Sequence, residues 1–534
     1  MGPDLCWRTA RWETHGHRGI GGGMRMNVGY FLTKSARKYP QKTALVFGEK
    51  RESYEEFNSR SNRLAHGLMS LGLKKGEKVA TLFFNCPAMV ESYFAIIKAG
   101  GVLVPLNARL SWRELASLVE HSDARFLIFD EDFKETISLL RPQVSKVEKY
   151  IMAGQYLSGG ILSHERLLEG SPAEEPGVEV DENDELMIVY TAGTTGQPKG
   201  VLVTHRNYIW ASLNGATDMS LGHGDVNLVV FPIFHTGGLA SFFMRVMMGN
   251  TLVLVKKVDL PEMLRTIERM RVTSTAMVPT LLTSLLQLPD LKSYDTTSVK
   301  MYTSSAAIFP VKVKNQFHEV FPNAALFEVY GQSEACGADT LLLPQDAFRK
   351  IACVGKAFCH HEVVVADEAG KGVAPGEIGE ILIRGPVVMK GYYKDPQATA
   401  EAIRDGWLHT GDMARVDEEG YIYIVDRKKD IIVSGGVNIY PREIEEVLYA
   451  HPKIAEAAVI GVADEKWGET MKALVVPKEG QPLSEEEVIA FCRENLASYK
   501  KPTSVEFLET LPKNAAGKIM KTELREKYGR LVRY

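Results

Sequence analysis

From about Met26 onward, apolar and polar positions follow two rhythms. Between Tyr54 and Leu73 apolar residues recur at helical spacing, with Phe57, Leu64 and Leu68 on one face. VATLFF (79–84) reads as a short strand, Ala88 to Ala99 as a helix and VLVPL (102–106) as a strand. Trp112 to Ser122 is then a helix and FLIF (126–129) a strand. The same scheme returns with LVVF (228–231), a helix from Gly238 to Met248, TLVLV (251–255), a helix from Pro261 to Met270, and STAMV (274–278). Strands alternating with helices predict βαβ units and largely parallel sheets. Two successive blocks of this kind predict two α/β sheet subdomains.

The texture then changes. EVVVAD (362–367), EILIRG (380–385) and YIYIV (421–425) are short strands separated by Gly, Asp and Pro, a β-rich segment. A small α+β tail follows. Pro441 suits the first turn of a helix running to about Ala450, IAEAAVIGV and MKALVVP read as strands, and Ser484 with Glu487 predicts a capping box. The charged stretch DRKKD (426–430) between body and tail is a candidate hinge. Before Met26, residues 1–25 mix Arg, His and Trp and end in glycines without an apolar h-region. They are expected to be a disordered extension, with Met24 or Met26 as the native start.

A chain of 534 residues exceeds one ordinary core. Its 45% hydrophobic and 24% charged residues are the balance of a globular protein. A net charge of -4 provides no overall basic field for nucleic acid. Apolar runs such as LMIVY are far shorter than the roughly 20 residues of a membrane span, so no transmembrane segment is expected. Six scattered cysteines without a CxxC pair fit reduced thiols in the cytoplasm. Cys359-His360-His361 has no second ligand pair at zinc-like spacing.

The densest chemical signal is YTAGTTGQPKGV (190–201). Glycines let backbone N–H groups approach an anion, hydroxyls donate to it and a lysine adds charge. It is not a Walker A loop: Pro198 precedes Lys199, and an apolar strand rather than a helix follows. A hairpin-like flap over a triphosphate is expected.

YTAGTTGQPKG resembles the phosphate loop of the adenylate-forming superfamily, which holds acyl-CoA synthetases, luciferases and adenylation domains. FPIFHTGG (231–238), VYGQSE (329–334), DGWLHTGD (405–412), DRKKDIIVSGG (426–436), YPREIEE (440–446) and PKNAAGKIMK (512–521) follow in the family's order. The DGWLHTGD and SGGVNIYPREIE runs look most like fatty-acid and other acyl-CoA ligases. The resemblance implies an N-terminal adenylate-forming domain over residues 26–427 and a mobile C-terminal domain over 428–534. It also implies ATP, Mg2+ and coenzyme A. A carboxylate that attacks the α-phosphorus of ATP becomes an acyl-adenylate, and a thiol can then displace AMP. The first step presses an anion against a polyanion, so its catalysis is charge neutralisation and positioning.

The resemblance assigns roles by position. Lys518 would bridge the substrate carboxylate and the adenylate. Glu334 would ligate Mg2+ together with Thr191, and Ser333, where the family usually has Thr, would donate to the α-phosphate. Thr191, Gly193, Thr194, Thr195, Gly196 and Lys199 would grip phosphates, although Ala192 removes one usual hydroxyl. Tyr330 would stack on adenine beside Gly331, Gln332, Ser305, Ala306 and Ala307. The SSAAIF stretch (304–309) departs from the family's glycine- and proline-containing segment. Asp412 would accept the ribose hydroxyls, with Ile424 and Arg427 nearby. Lys429 is the hinge position, and Gly435 and Gly436 would admit the pantetheine arm. His235 would stand at the carboxylate end of an acyl pocket walled by Phe234, Gly237, Gly238, Leu239 and Gly337.

These wall residues are apolar or small, so a medium- or long-chain fatty acid is the expected substrate and an aromatic or alicyclic acid the alternative. Transfer to a carrier protein and a noncatalytic nucleotide-binding role are further alternatives. Only 16 residues follow Lys518, too few for a carrier domain. Two-domain ligases often form a homodimer, for which the sequence carries no interface signal.

Overall fold

The computed structural model describes residues 26–154, 159–191, 198–305, 309, 311–513 and 519–529. The N-terminal extension expected over 1–25 lies outside them. The chain forms four sheets: two large mixed α/β sheets, a five-stranded β-rich sheet and a five-stranded sheet in the tail.

The eight-stranded sheet runs from Ile161–Ser163 through Lys149–Ala153, Ala124–Asp130, Lys78–Leu82, Val102–Pro105 and Glu185–Thr191, all parallel. Two antiparallel strands, Lys199–Thr204 and Gly391–Tyr392, complete it. The nine-stranded sheet has a parallel centre: Thr43–Phe47, Thr251–Leu254, Val226–Val229, Ser274–Met277, Met301–Ser305 and Ala325–Tyr330. Lys50–Ser53 borders it on one side, and Thr340–Leu342 with Lys356–Ala357 on the other.

The two sheets match the expected subdomains, but they are not successive blocks. Thr43–Phe47 pairs with Thr251–Leu254 in the second sheet, and Gly391–Tyr392 returns to the first. Parallel pairing requires crossovers rather than sequence adjacency, so periodicity alone does not say which sheet a strand joins.

Helices start where their caps lie. Ser53 and Glu56 make a capping box that begins the helix Tyr54–Ser70, and Ser111 with Glu114 begins Trp112–Ser122. The helix Pro87–Lys98 buries ten of its twelve residues, which places it inside the core. Its Phe94 meets Phe57, Phe242 and Phe243 at centroid distances of 5.6 to 5.8 Å. Its two buried charges are paired, Glu91 with Arg60 and Lys98 with Glu175, as burial demands. In the tail, Ser484 caps Glu485–Asn495 through the Glu487 N–H, but the expected reciprocal contact is absent: the Glu487 carboxylate turns to Lys453 instead, at 2.8 Å.

The β-rich sheet orders Glu362–Ala366, Ile378–Arg384, Trp407–Val416 and Ile403–Arg404, with Ile422–Arg427 also on Trp407–Val416. After a short 3-10 turn, Lys428–Asp430, the chain enters the tail sheet at Ile432–Ser434. No helix among the described residues is long and apolar enough to cross a membrane, and the described cysteines are all free thiols.

Candidate active site

Thr191 and Lys199 are the last partners of an antiparallel strand pair, and these two strands flank the expected flap. Gly193, Thr194, Thr195 and Gly196 lie outside the described residues. On the exit strand, Gly200 is packed so closely that a Cβ would meet Ile188 Cγ2 at 2.9 Å. Lys199 Nζ rests over the Tyr392 ring, 4.8 Å from its centroid.

Three strands converge on Tyr330. Ala325–Tyr330 carries it, Met301–Ser305 runs parallel with Ser305 opposite Val329, and Thr340–Leu342 returns antiparallel with Thr340 opposite Tyr330. Ala306 and Ala307 are outside the described residues. Between Tyr330 and Thr340 the chain folds tightly on itself. Asp339 N donates to Tyr330 O at 2.8 Å and Gly337 N to Gln332 O at 2.8 Å. Gly331 passes so near Gly337 that a Cβ would lie 2.3 Å from the Gly337 carbonyl carbon.

A 3-10 turn, Ser333–Ala335, presents Glu334. Its Oε1 accepts from Tyr392 Oη at 2.8 Å, and its backbone carbonyl accepts from Met389 N at 2.8 Å. Ser333 Oγ is 2.7 Å from Thr236 Oγ1. Asp339 is fully buried, and burial pushes its carboxyl well above the ordinary carboxylate range. Its Oδ2 accepts from Gln332 N at 3.1 Å.

Asp412 sits on the β-rich strand Trp407–Val416, where the ladder slips beside Ala414. The bulge redirects the chain toward the site, as bulges near active sites do. Glu380 holds it through the Gly411 N–H at 3.0 Å. Asp412 is 5% exposed; it accepts from Tyr330 Oη at 2.7 Å and pairs with its cross-strand neighbour Arg427 at 3.2 Å. Ile424 faces Ala414 on the same pair of strands. Arg427, Asp412 and Tyr330 thus form one chain of contacts.

His235 caps the helix Thr236–Met247 by position only, without a side-chain bond to it. Its ring centroid is 4.7 Å from that of Phe234. Burial, and secondarily the charge of Arg109, lower its pKa to about 4. The imidazole is therefore neutral near pH 7, and its buried Nε2 has no partner among the described residues. A Cβ on Gly237 would meet nothing within 4 Å, whereas one on Gly337 would come 3.0 Å from Thr236 Cγ2. The turn that holds Glu334 thus rests on the start of this helix, where Gly237 is exposed.

Lys429 is exposed in the Lys428–Asp430 turn between the two sheets. Gly435 and Gly436 form the tip of the hairpin Ile432–Ser434/Val437–Ile439, both left-handed, and a Cβ on Gly435 would strike the Trp467 ring at 2.8 Å. No contact joins this tip to Tyr330 or Glu334 among the described residues. Lys518 lies outside them. Cys359 and His361 share the Asn214 side chain: the thiol lies 3.7 Å from its Oδ1 and 2.9 Å from His360 Nδ1, while His361 lies 3.0 Å from Asn214 Nδ2 and binds the Asp339 carbonyl at 2.7 Å. Tyr392, Thr236 and Asp339 were not singled out by the sequence. The only available signal for Tyr392 was a tyrosine pair behind a glycine in KGYYKDP, which reads as a turn.

A family model described as AMP-binding enzyme matches residues 32–393, and one described as AMP-binding enzyme C-terminal domain matches residues 443–518. The chain is 37% identical to a feruloyl-CoA synthase of Amycolatopsis sp, over 94% of this chain and 99% of the relative. It is 35% identical to the long-chain-fatty-acid–CoA ligase FadD13 of Mycobacterium tuberculosis, over 95% and 99%. Among solved structures, the o-succinylbenzoate coenzyme A synthetase of Bacillus subtilis in complex with ATP and magnesium ion aligns with a TM-score of 0.83 at 31% identity, over 93% of this chain and 99% of that one.

Proposed function

The chain belongs to the AMP-binding enzyme family and is an acyl-CoA ligase, and from that premise we propose that it activates a carboxylic acid with an uncharged apolar tail. ATP supplies the adenylyl group and coenzyme A accepts the acyl group. A carboxylate oxygen attacks the α-phosphorus and pyrophosphate leaves; the CoA sulfur then attacks the acyl carbon and AMP leaves.

One observation carries the reading. Arg427, Asp412 and Tyr330 are linked at one end of the VYGQSE turn, and Glu334, Tyr392 and Lys199 at the other. This linkage supports a ribose-and-adenine grip and a phosphate grip four residues apart. Tyr330 stacks on the base, and Asp412 accepts from the ribose hydroxyls. Lys199 meets the phosphates, with Ser333 donating to them.

The donor set fits magnesium. Glu334 is a carboxylate bonded to a neutral phenol, with no Lys or Arg paired to it among the described residues, and hard cations prefer such oxygens. Glu334 and the Thr191 hydroxyl would hold the ion, which when bound neutralises phosphate charge. Lys518 meets the carboxylate at the reacting end, and Gly435 and Gly436 give pantetheine a path close to the backbone.

Neutral His235 can donate an N–H to the acid without an ion pair, and the apolar Phe234 and Leu239 beside it support an apolar tail. A medium or long alkyl chain is the first tail to test, supported by the fatty-acid ligase relative. An aromatic ring is the second, supported by the feruloyl relative. Pyrophosphate release across alkanoates of graded length and benzoate-, cinnamate- and cyclohexane-type acids, with and without CoA, tests both. Release that depends on one apolar class, followed by CoA-dependent AMP production, is expected. No release with any acid would refute the proposal.

A further inference from the structure

The segment Met389–Tyr393 does more than close a sheet. Tyr392 lies opposite Val201 in the ladder, and Tyr393 N donates to Gly200 O at 2.7 Å, which fixes the segment to the strand Lys199–Thr204. Met389 N donates to Glu334 O, which fixes its other end to the turn that presents the carboxylate. Tyr392 stands between these anchors. Its hydroxyl donates to Glu334 Oε1 at 2.8 Å and its ring face carries Lys199 Nζ at 4.8 Å.

We propose that Tyr392 is a positioning residue for the metal–triphosphate site, orienting the Glu334 carboxylate through its hydroxyl and the Lys199 ammonium through its ring. The proposal rests on the reading of Glu334 and Lys199 given above.

A donor that keeps its proton occupies one lone pair of Oε1, sets the plane of the carboxylate and leaves Oε2 for a hard cation. A phenol has an ordinary pKa of about 10, so its hydroxyl keeps the proton near neutral pH and stays a donor. The ring adds a second constraint. A lysine is a flexible point charge with many rotamers, and an aromatic face narrows them. One side chain thus sets the distance between the anion that recruits the ion and the cation that meets the phosphates. A tyrosine serving only as packing would need neither contact.

The test uses binding, which needs no knowledge of the acid. Mn2+ is titrated against the full-length protein with and without ATP and followed by electron paramagnetic resonance. ATP binding without metal is measured by calorimetry. In Tyr392→Phe the ring remains and the hydroxyl goes. Mn2+ affinity in the presence of ATP should fall about 2- to 12-fold, the net worth of one ordinary hydrogen bond. Metal-free ATP affinity and the melting temperature should stay at wild-type values. Tyr392→Leu should in addition weaken metal-free ATP binding about 2- to 5-fold by removing the platform under Lys199.

Wild-type Mn2+ affinity in Tyr392→Phe would overturn the proposal. So would an equal fall in metal-free ATP binding, or loss of the folded state, since either makes the phenol a structural strut. If the wild-type protein binds ATP no better with Mn2+, the metal reading of Glu334 fails first. If Mn2+ and ATP bind as expected but no acid releases pyrophosphate, the ligase substrate reading fails and the role of Tyr392 stands.

Discussion

Gly331→Ala tests whether the VYGQSE turn sets the distance between the base grip and the phosphate grip. A Cβ on Gly331 would lie 2.3 Å from the Gly337 carbonyl carbon, 2.5 Å from its oxygen and 2.6 Å from Ala338 N. All three are backbone atoms, so no side chain can swing aside. Carbon contacts are comfortable only from about 3.5 Å, and the two strands of the turn must separate by roughly 1 Å. That separation strains the Gly337–Gln332, Asp339–Tyr330 and Gln332–Asp339 hydrogen bonds together. Overpacking of this kind costs about 1–3 kcal/mol of stability. The functional effect is larger, because Tyr330 and Glu334 flank the displaced atoms and a misplacement near 1 Å costs about 10²-fold in rate. Pyrophosphate release at saturating acid, with ATP varied, should show kcat/KM for ATP about 10²-fold lower. Gly224→Ala, where a Cβ meets nothing within 4 Å, serves as the control glycine. ATP kinetics within twofold of wild type in Gly331→Ala would refute the reasoning.

Lys518→Ala should reduce adenylation about 10²- to 10³-fold, the loss expected for one preorganised donor; undiminished acyl-adenylate formation would remove the assignment. Gly237→Phe should place a ring over the exposed start of Thr236–Met247 and shift the acid preference to smaller tails with ATP KM unchanged, as read by the same acid panel. The buried Asp339 carboxyl has its folded pKa raised above the unfolded value near 3.8. Its stabilisation is complete below pH 4 and is lost as pH rises toward the folded pKa. Asp339→Asn should flatten that decline in melting temperature as pH rises above about 4, and parallel curves for the two proteins would contradict it.

Much of the architecture was legible because its helices carry explicit boundaries, such as Ser53 with Glu56 and Ser111 with Glu114. Strand membership was not. Thr43–Phe47 has the periodicity of any buried strand, and nothing local says that its neighbour is Thr251–Leu254. The spine of the β-rich sheet, Trp407–Val416, escaped notice for a different reason. His409, Thr410, Gly411 and Asp412 interrupt its alternation, and the bulge beside Ala414 breaks its register. The residues that hide the strand are those that aim Asp412 at Tyr330. Within the candidate site, motifs single out charged and hydroxylic residues from the sequence, but not Tyr392. Its role comes from a cross-sheet meeting with Glu334, 58 positions away, which no short window contains.

The pairing of Thr43–Phe47 with Thr251–Leu254 also governs the order in which the molecule can be made. The Thr251 hydroxyl bonds the Thr43 carbonyl across 208 positions. At a synthesis rate of about 5–20 residues per second, the early strand waits roughly 10–40 s for its neighbour to leave the ribosome. During that interval its unpaired edge is the part of the nascent chain most open to mispairing. The parallel strands between Lys78–Leu82 and Glu185–Thr191 are all available sooner, so the first sheet can condense while the second is still missing its centre.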